Sequence, residues 1–195
     1  RSLDLLQQDI LFEDVLSILK DEDLAREARQ FHGISKVGEI VQHTGGECVD
    51  WAGHVKGENV SVAGNMLAGP EVIAETLEAW DANAGIAFAE RLLLAMEAGE
   101  AAGGDKRGKQ AAAIKIHKGQ PLPELDLRVD DHADPLRELR RLLRVAGERY
   151  MILKTALPTT ANFSGIVDRG PLDQTIAKAE KERQENGYIS PSYAN

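Results

Sequence analysis

From Ser2 to about Gln30, apolar residues recur at helical spacing. Leu3, Leu5, Leu6, Ile10, Val15, Leu16 and Leu19 supply the apolar faces, with a break near Asp9–Phe12. Asp21 stands where it would cap a further short helix. The period then falls to two. "FHGISKVGEIVQHTGG" predicts two short strands about a Lys36–Gly38 turn, closed by Gly45–Gly46. "WAGHVKGENVSVAGN" predicts a second pair that turns at Gly57–Asn59. Hairpins in series imply antiparallel pairing.

Helical spacing returns after Gly69–Pro70, where Val72, Ile73, Leu77 and Trp80 form a buried stripe. A second helix is predicted from about Asn83 to Glu100 through Ile86, Phe88, Leu92, Leu93 and Met96, and Gly103–Gly104 ends it. Residues 110–117 and 124–130 read as strands. In the second, "DLRV" alternates charged and apolar residues, as one exposed face requires. "DPLRELRRLLRVAGERY" reads as a helix with Asp134 as its cap and Pro135 in its first turn. Residues 155–170 are turn-rich, 171–185 form a charged amphipathic helix, and "YISPSYAN" reads as a tail. Helices and hairpins in blocks give an α+β class rather than βαβ alternation.

The chain has 195 residues, enough for one domain or a domain with an appendage. Its 43% hydrophobic and 28% charged content suits a buried core, and 5% aromatic content makes that core aliphatic. A net charge of −9 argues against non-specific partners such as nucleic acid or an anionic membrane. No apolar run reaches the roughly 18–20 residues of a membrane span. Cys48 is the single cysteine, so no internal disulfide and no multi-cysteine zinc site can form. These features, with an opening "RSLDLLQQ" that reads as amphipathic helix and not as a signal peptide, lead us to expect a cytoplasmic protein. A natural chain begins with Met, so residues are expected to precede Arg1. The acidic charge and the amphipathic helices permit a homo-oligomer.

Four segments carry groups able to do chemistry. "EAAGGDKRGKQAAAIKI" places Asp105, Lys106, Arg107, Lys109 and Gln110 behind two glycines. A phosphate loop runs strand, glycines, helix, whereas here the order is helix, glycines, strand. The negative end of the preceding helix would attract these cations and repel an anion. A capped turn and a ligand-facing loop both remain as readings. "TGGECVDWAGH" gathers Thr44, Cys48, Asp50, Trp51 and His54, which admits a thiol–imidazole pair as well as a buried structural cysteine. "DLRVDDHADP" holds Asp130, Asp131, His132 and Asp134. A metal reading competes there with helix capping and substrate positioning, and the latter readings are preferred, so no metal or other cofactor is expected. In "GNML", Asn65 is either turn chemistry or an amide facing a cleft.

Taken in order, "TGGECVDWAGH", "AGNML", "EAGEAAGGDKRGKQAAAI" and "DLRVDDHADPLREL" resemble an uncharacterised family of the Ntn-hydrolase superfamily, some of whose members carry a fimbrial or pilin-type label. "RSLDLL" resembles the same family at a point beyond its first strands. The resemblance covers residues 1 to about 145 and implies a layered αββα sandwich with antiparallel sheets, its first strands missing from this stretch. Residues 146–195 are then a helical extension and tail.

The resemblance also implies an amide hydrolase whose amino-terminal Thr, Ser or Cys attacks a carbonyl. Arg1 cannot play that part, so such a nucleophile is expected in a segment ahead of it. The substrate is expected to be a small molecule or a peptide-like amide. His54, Asn65, Asp105, Arg107, Gln110, Asp130 and His132 are the candidates to line the cleft and position it. Ala111 stands where the family usually has serine. The alternative is a non-catalytic ligand-binding or assembly protein on the same fold.

Overall fold

Two compact units, Arg1–Lys109 and Gln110–Asn195, make up the chain in a computed structural model that describes residues 1–194. Together they form a mixed α+β structure of helices and two-stranded antiparallel sheets.

The first unit begins with α1 (Ser2–Leu6) and α2 (Phe12–Glu22), separated at Asp9, whose φ of 58° breaks the helical path. A short 3-10 turn at Arg26–Ala28 leads into β1 (Gln30–Ile34) and β2 (Ile40–Thr44). Their register sets Gln30 opposite Thr44, His32 opposite Gln42 and Gly33 opposite Val41. One face of this hairpin packs on the helices. Leu5, Phe12, Val15 and Val41 are buried together, and the Phe12 and Phe31 rings meet edge to face with centroids 6.4 Å apart. A Cβ on Gly33 would come within 2.7 Å of the Phe12 ring, so that close approach requires glycine.

Strands β3 (Gly53–Gly57) and β4 (Val60–Gly64) form the second hairpin, with Val55 opposite Val62 and Gly53 opposite Gly64. Helix α3 (Glu71–Ala82) packs on it and is paired with α4 (Phe88–Ala101). Val72, Ile73, Trp80, Leu93 and Ala95 are buried on these two helices. Helix α4 begins at Phe88 rather than Asn83. The Asn83 amide instead donates to the Ala79 carbonyl (2.7 Å) and finishes α3, leaving 84–87 as the link.

In the second unit, β5 (Ala112–Ile116) pairs with β6 (Leu125–Val129), and Ile114, Leu125 and Val129 are buried. Helix α5 (Pro135–Glu148) packs against this hairpin, capped as its sequence predicts: the Asp134 carboxylate accepts from the Arg137 N–H. Helices α6 (Tyr150–Leu153) and α7 (Gly170–Glu185) follow. The expected tail is packed rather than loose. Tyr188 Oη and Ser190 Oγ both donate to the Glu148 carboxylate, and Arg141 donates to the Pro191 carbonyl (3.0 Å) while stacking on Tyr193. Among the described residues, no helix is long and apolar enough to cross a membrane.

Candidate functional site

The face of β1–β2 that points away from α1 and α2 carries Gln30, His32, Gln42 and Thr44. Alternation places these four together. They meet the β3–β4 hairpin through polar contacts. The Gln42 amide donates to the Val55 carbonyl (2.7 Å) and to Ser61 Oγ (2.9 Å), and His32 Nδ1 lies 2.8 Å from the same hydroxyl. At the other end, Gln30 Nε2 donates to the carbonyls of Gly53 and Gly64, both at 3.0 Å, and to Thr44 Oγ1 at 2.9 Å. His54 Nδ1 completes this group, 2.8 Å from Thr44 Oγ1.

Thr44 and His54 open onto a cleft of about 670 Å³ formed by the β2–β3 connection and the start of α3. Trp51, Pro70, Ile73 and Ala74 give it apolar walls, and Thr44, Cys48, Asp50 and His54 give it polar groups. Partial burial, and after it the nearby His43 and His32, push the His54 imidazole below its ordinary value, so it is held neutral at neutral pH. Cys48 is half-buried on the cleft wall, and the histidine nitrogen that faces a hydroxyl takes Thr44 rather than the thiol.

One wall of the cleft is braced from behind. The segment 49–51 bonds to 66–67 through Met66 N–H to Val49 O (3.0 Å) and Leu67 N–H to Trp51 O (3.0 Å). The segment 104–106 then bonds to 66–68 through Ala68 N–H to Gly104 O (2.9 Å) and Lys106 N–H to Met66 O (2.9 Å). These bonds explain what the cationic turn does. Helix α4 ends in a glycine cap, with Gly103 N–H donating to Glu100 O and Gly104 N–H to Gly99 O, at φ values of 121° and 54° that favour glycine. Arg107 then makes a two-pronged pair with Asp105 (2.9 and 2.6 Å), Lys106 donates to the Asp50 carbonyl, and Lys109 pairs with Glu100 (3.0 Å). The three cations hold the turn and the cleft wall.

The seven residues expected from sequence therefore fall into separate groups. His54 is in the cleft. Asn65 is exposed just before the braced segment 66–68, and Asp105 and Arg107 are joined to each other beside it. Gln110, Asp130 and His132 belong to the second unit. There the Gln110 amide donates to Asp131 (3.2 Å), its carbonyl accepts from the His132 N–H (3.0 Å), and His132 Nδ1 accepts from the Asp134 N–H (2.9 Å). Asp130 turns instead to Arg128 (2.6 Å). Among the described residues, no three His, Cys, Asp or Glu side chains gather in a way that could hold a metal ion.

Gln30 lies outside the four motifs, and Thr44 stands in one of them without its link to Gln30 being legible there. Their signal lay in the hairpin register: a turn centred on Val37 places Gln30 opposite Thr44 and puts both on the face away from Phe31 and Val41.

A family model described as "Family of unknown function (DUF1028)" matches residues 1–139. No curated protein matches the chain. Among solved structures, the chain is similar to the crystal structure of protein SPO2555 from Silicibacter pomeroyi, which carries the same family description. The two are 29% identical with a TM-score of 0.74, over 86% of this chain and 75% of that one.

Proposed function

This chain belongs to the DUF1028 family of unknown function, and we propose that it hydrolyses a small-molecule or peptide-like amide in the cleft of its first unit, on a fold of the Ntn-hydrolase kind. The packing order within residues 1–109 supports that fold reading. It runs from α1–α2 to β1–β2, then to β3–β4, then to α3–α4, with a hairpin–hairpin interface inside and helices outside.

The observation that carries the hydrolytic reading is the neutral His54 imidazole at the mouth of a cleft with apolar walls. A volume of about 670 Å³ lies within the range of small-ligand sites, which combine apolar walls with a few convergent polar groups. A neutral imidazole is the side chain best matched to moving a proton at neutral pH. Trp51, Ile73 and Ala74 then bind the apolar part of the substrate, and His54 serves the scissile amide. Asp105 and Arg107 act at one remove by holding the turn that braces the 49–51 wall. Gln110, Asp130 and His132 belong to the second unit. The superfamily pattern would supply the nucleophile from an amino terminus ahead of Arg1, and the cleft and its base serve that source or an internal one equally.

The test is a panel of N-acyl amino acids, dipeptides and simple amides incubated with the protein, with the released amine measured by mass spectrometry. One class is expected to turn over, and His54→Gln is expected to slow it by about 100-fold or more. No amine release from any member contradicts the reading. Tight binding of an unaltered amide would mark a ligand-binding protein instead.

A further inference from the structure

Gln30 and His54 flank the Thr44 hydroxyl on two sides. Carbonyl oxygens only accept, so the two backbone carbonyls at 3.0 Å fix the Gln30 side chain with its NH₂ toward Gly53 and Gly64. That same NH₂ lies 2.9 Å from Thr44 Oγ1, and with two hydrogens among three acceptors it shares one of them with the threonine oxygen. In the neutral tautomer with its hydrogen on Nε2, His54 Nδ1 is the acceptor of the Thr44 hydroxyl hydrogen at 2.8 Å. The outcome is a threonine O–H aimed at an imidazole nitrogen, oriented by a third side chain and open to a cleft. A hydroxyl within hydrogen-bond reach of a neutral imidazole is the pairing that activates a hydroxyl.

We propose that Thr44 is the nucleophile of this cleft, that His54 is its base, and that Gln30 is the positioning residue that orients the hydroxyl. The proposal rests on the amide-hydrolase reading and takes the nucleophile from within the first unit. Thr44 Oγ1 attacks the amide carbonyl, and its proton passes to His54 Nδ1. As the C–N bond breaks, that proton goes to the leaving amine, and the acyl group stays on Thr44 as an ester. Water then loses a proton to His54, attacks the ester carbonyl, and releases the carboxylic acid. His54 returns the proton to Thr44 Oγ1. Cys48 on the same wall is not the attacking group, because the imidazole faces the hydroxyl.

The test is covalent labelling with a fluorophosphonate probe, which modifies activated hydroxyls, followed by peptide mass spectrometry. An adduct on Thr44 is expected in the wild-type protein and in Thr44→Ser. Thr44→Val should carry no adduct there, and His54→Gln should label about 100-fold more slowly. A bond that merely ties the two hairpins together would leave Thr44 unlabelled in the wild-type protein, and that result overturns the proposal without needing any variant. Amide turnover that persists in Thr44→Val also overturns it, while leaving the hydrolase reading in place. A labelled Thr44 with no amide turnover supports the nucleophile and moves the failure to the choice of substrate.

Discussion

Asp105 accepts three hydrogen bonds from one residue: the Arg107 N–H at 2.8 Å and its guanidinium at 2.9 and 2.6 Å. The guanidinium first, and then that backbone N–H, pull its carboxyl from 3.8 down to about 2. A carboxylate lowered on folding adds stability that is complete above its unfolded value and is lost as pH falls through its folded one. The contribution of Asp105 is thus present above about pH 4 and disappears toward pH 2. We expect Asp105→Asn to melt below the wild type at neutral pH, with the gap closing as pH falls toward 2 and narrowing in high salt, because the pair is partly exposed. Melting curves taken across that range check it, and a gap independent of pH would contradict it. Sequence reading reached the composition of this turn and its helix-to-strand direction, which exclude a phosphate loop. It could not choose between a held turn and a ligand loop, because the choice depends on Asp50 and Met66, which are distant in sequence.

The hairpins were legible as elements because their period of two and their Gly-rich turns are local signals. What they hold between them was not. The Lys36–Gly38 turn gives the correct register for β1 and β2, whereas the second turn centres between Glu58 and Asn59, half a residue past the middle of Gly57–Asn59; that shifts the pairing by one residue, and a slip of one exchanges the two faces of a strand. Thr44 and His54 stand together in one motif, while Gln30 joins them only through the β1–β2 register. The β2–β3 connection makes a further claim on sequence. A Cβ on Gly45 would lie 2.2 Å from the Glu27 carbonyl oxygen and 2.5 Å from that of Arg26. Gly45→Ala must therefore push the 3-10 turn off this loop. We expect a loss of about 1–3 kcal/mol in denaturant melts, as for other overpacked sites. Because Gly45 lines the cleft, Thr44 labelling should fall with it. An alanine variant as stable as the wild type would show that the loop has room.

For the molecule as a whole, the alternation of helices and hairpins follows from the change in hydrophobic period along the chain, and the α+β class could be read from it. The order in which those elements stack in the first unit could not be read that way. It depends on which hairpin face is polar, and here the inner interface is lined by Gln, His, Thr and Ser rather than by aliphatic residues. Polar groups that packing partly withdraws from water need partners, and Gln30, Thr44 and His54 find theirs in one hydrogen-bonded line beside the cleft. The most direct test of that line is a nitrogen-15 NMR titration of the His54 ring. The account predicts Nδ1 unprotonated and Nε2 carrying the hydrogen at neutral pH, with a midpoint below 6.5. A hydrogen on Nδ1 of the neutral ring would make Thr44 the acceptor, and a midpoint above 6.5 would remove the neutral base; either contradicts the account.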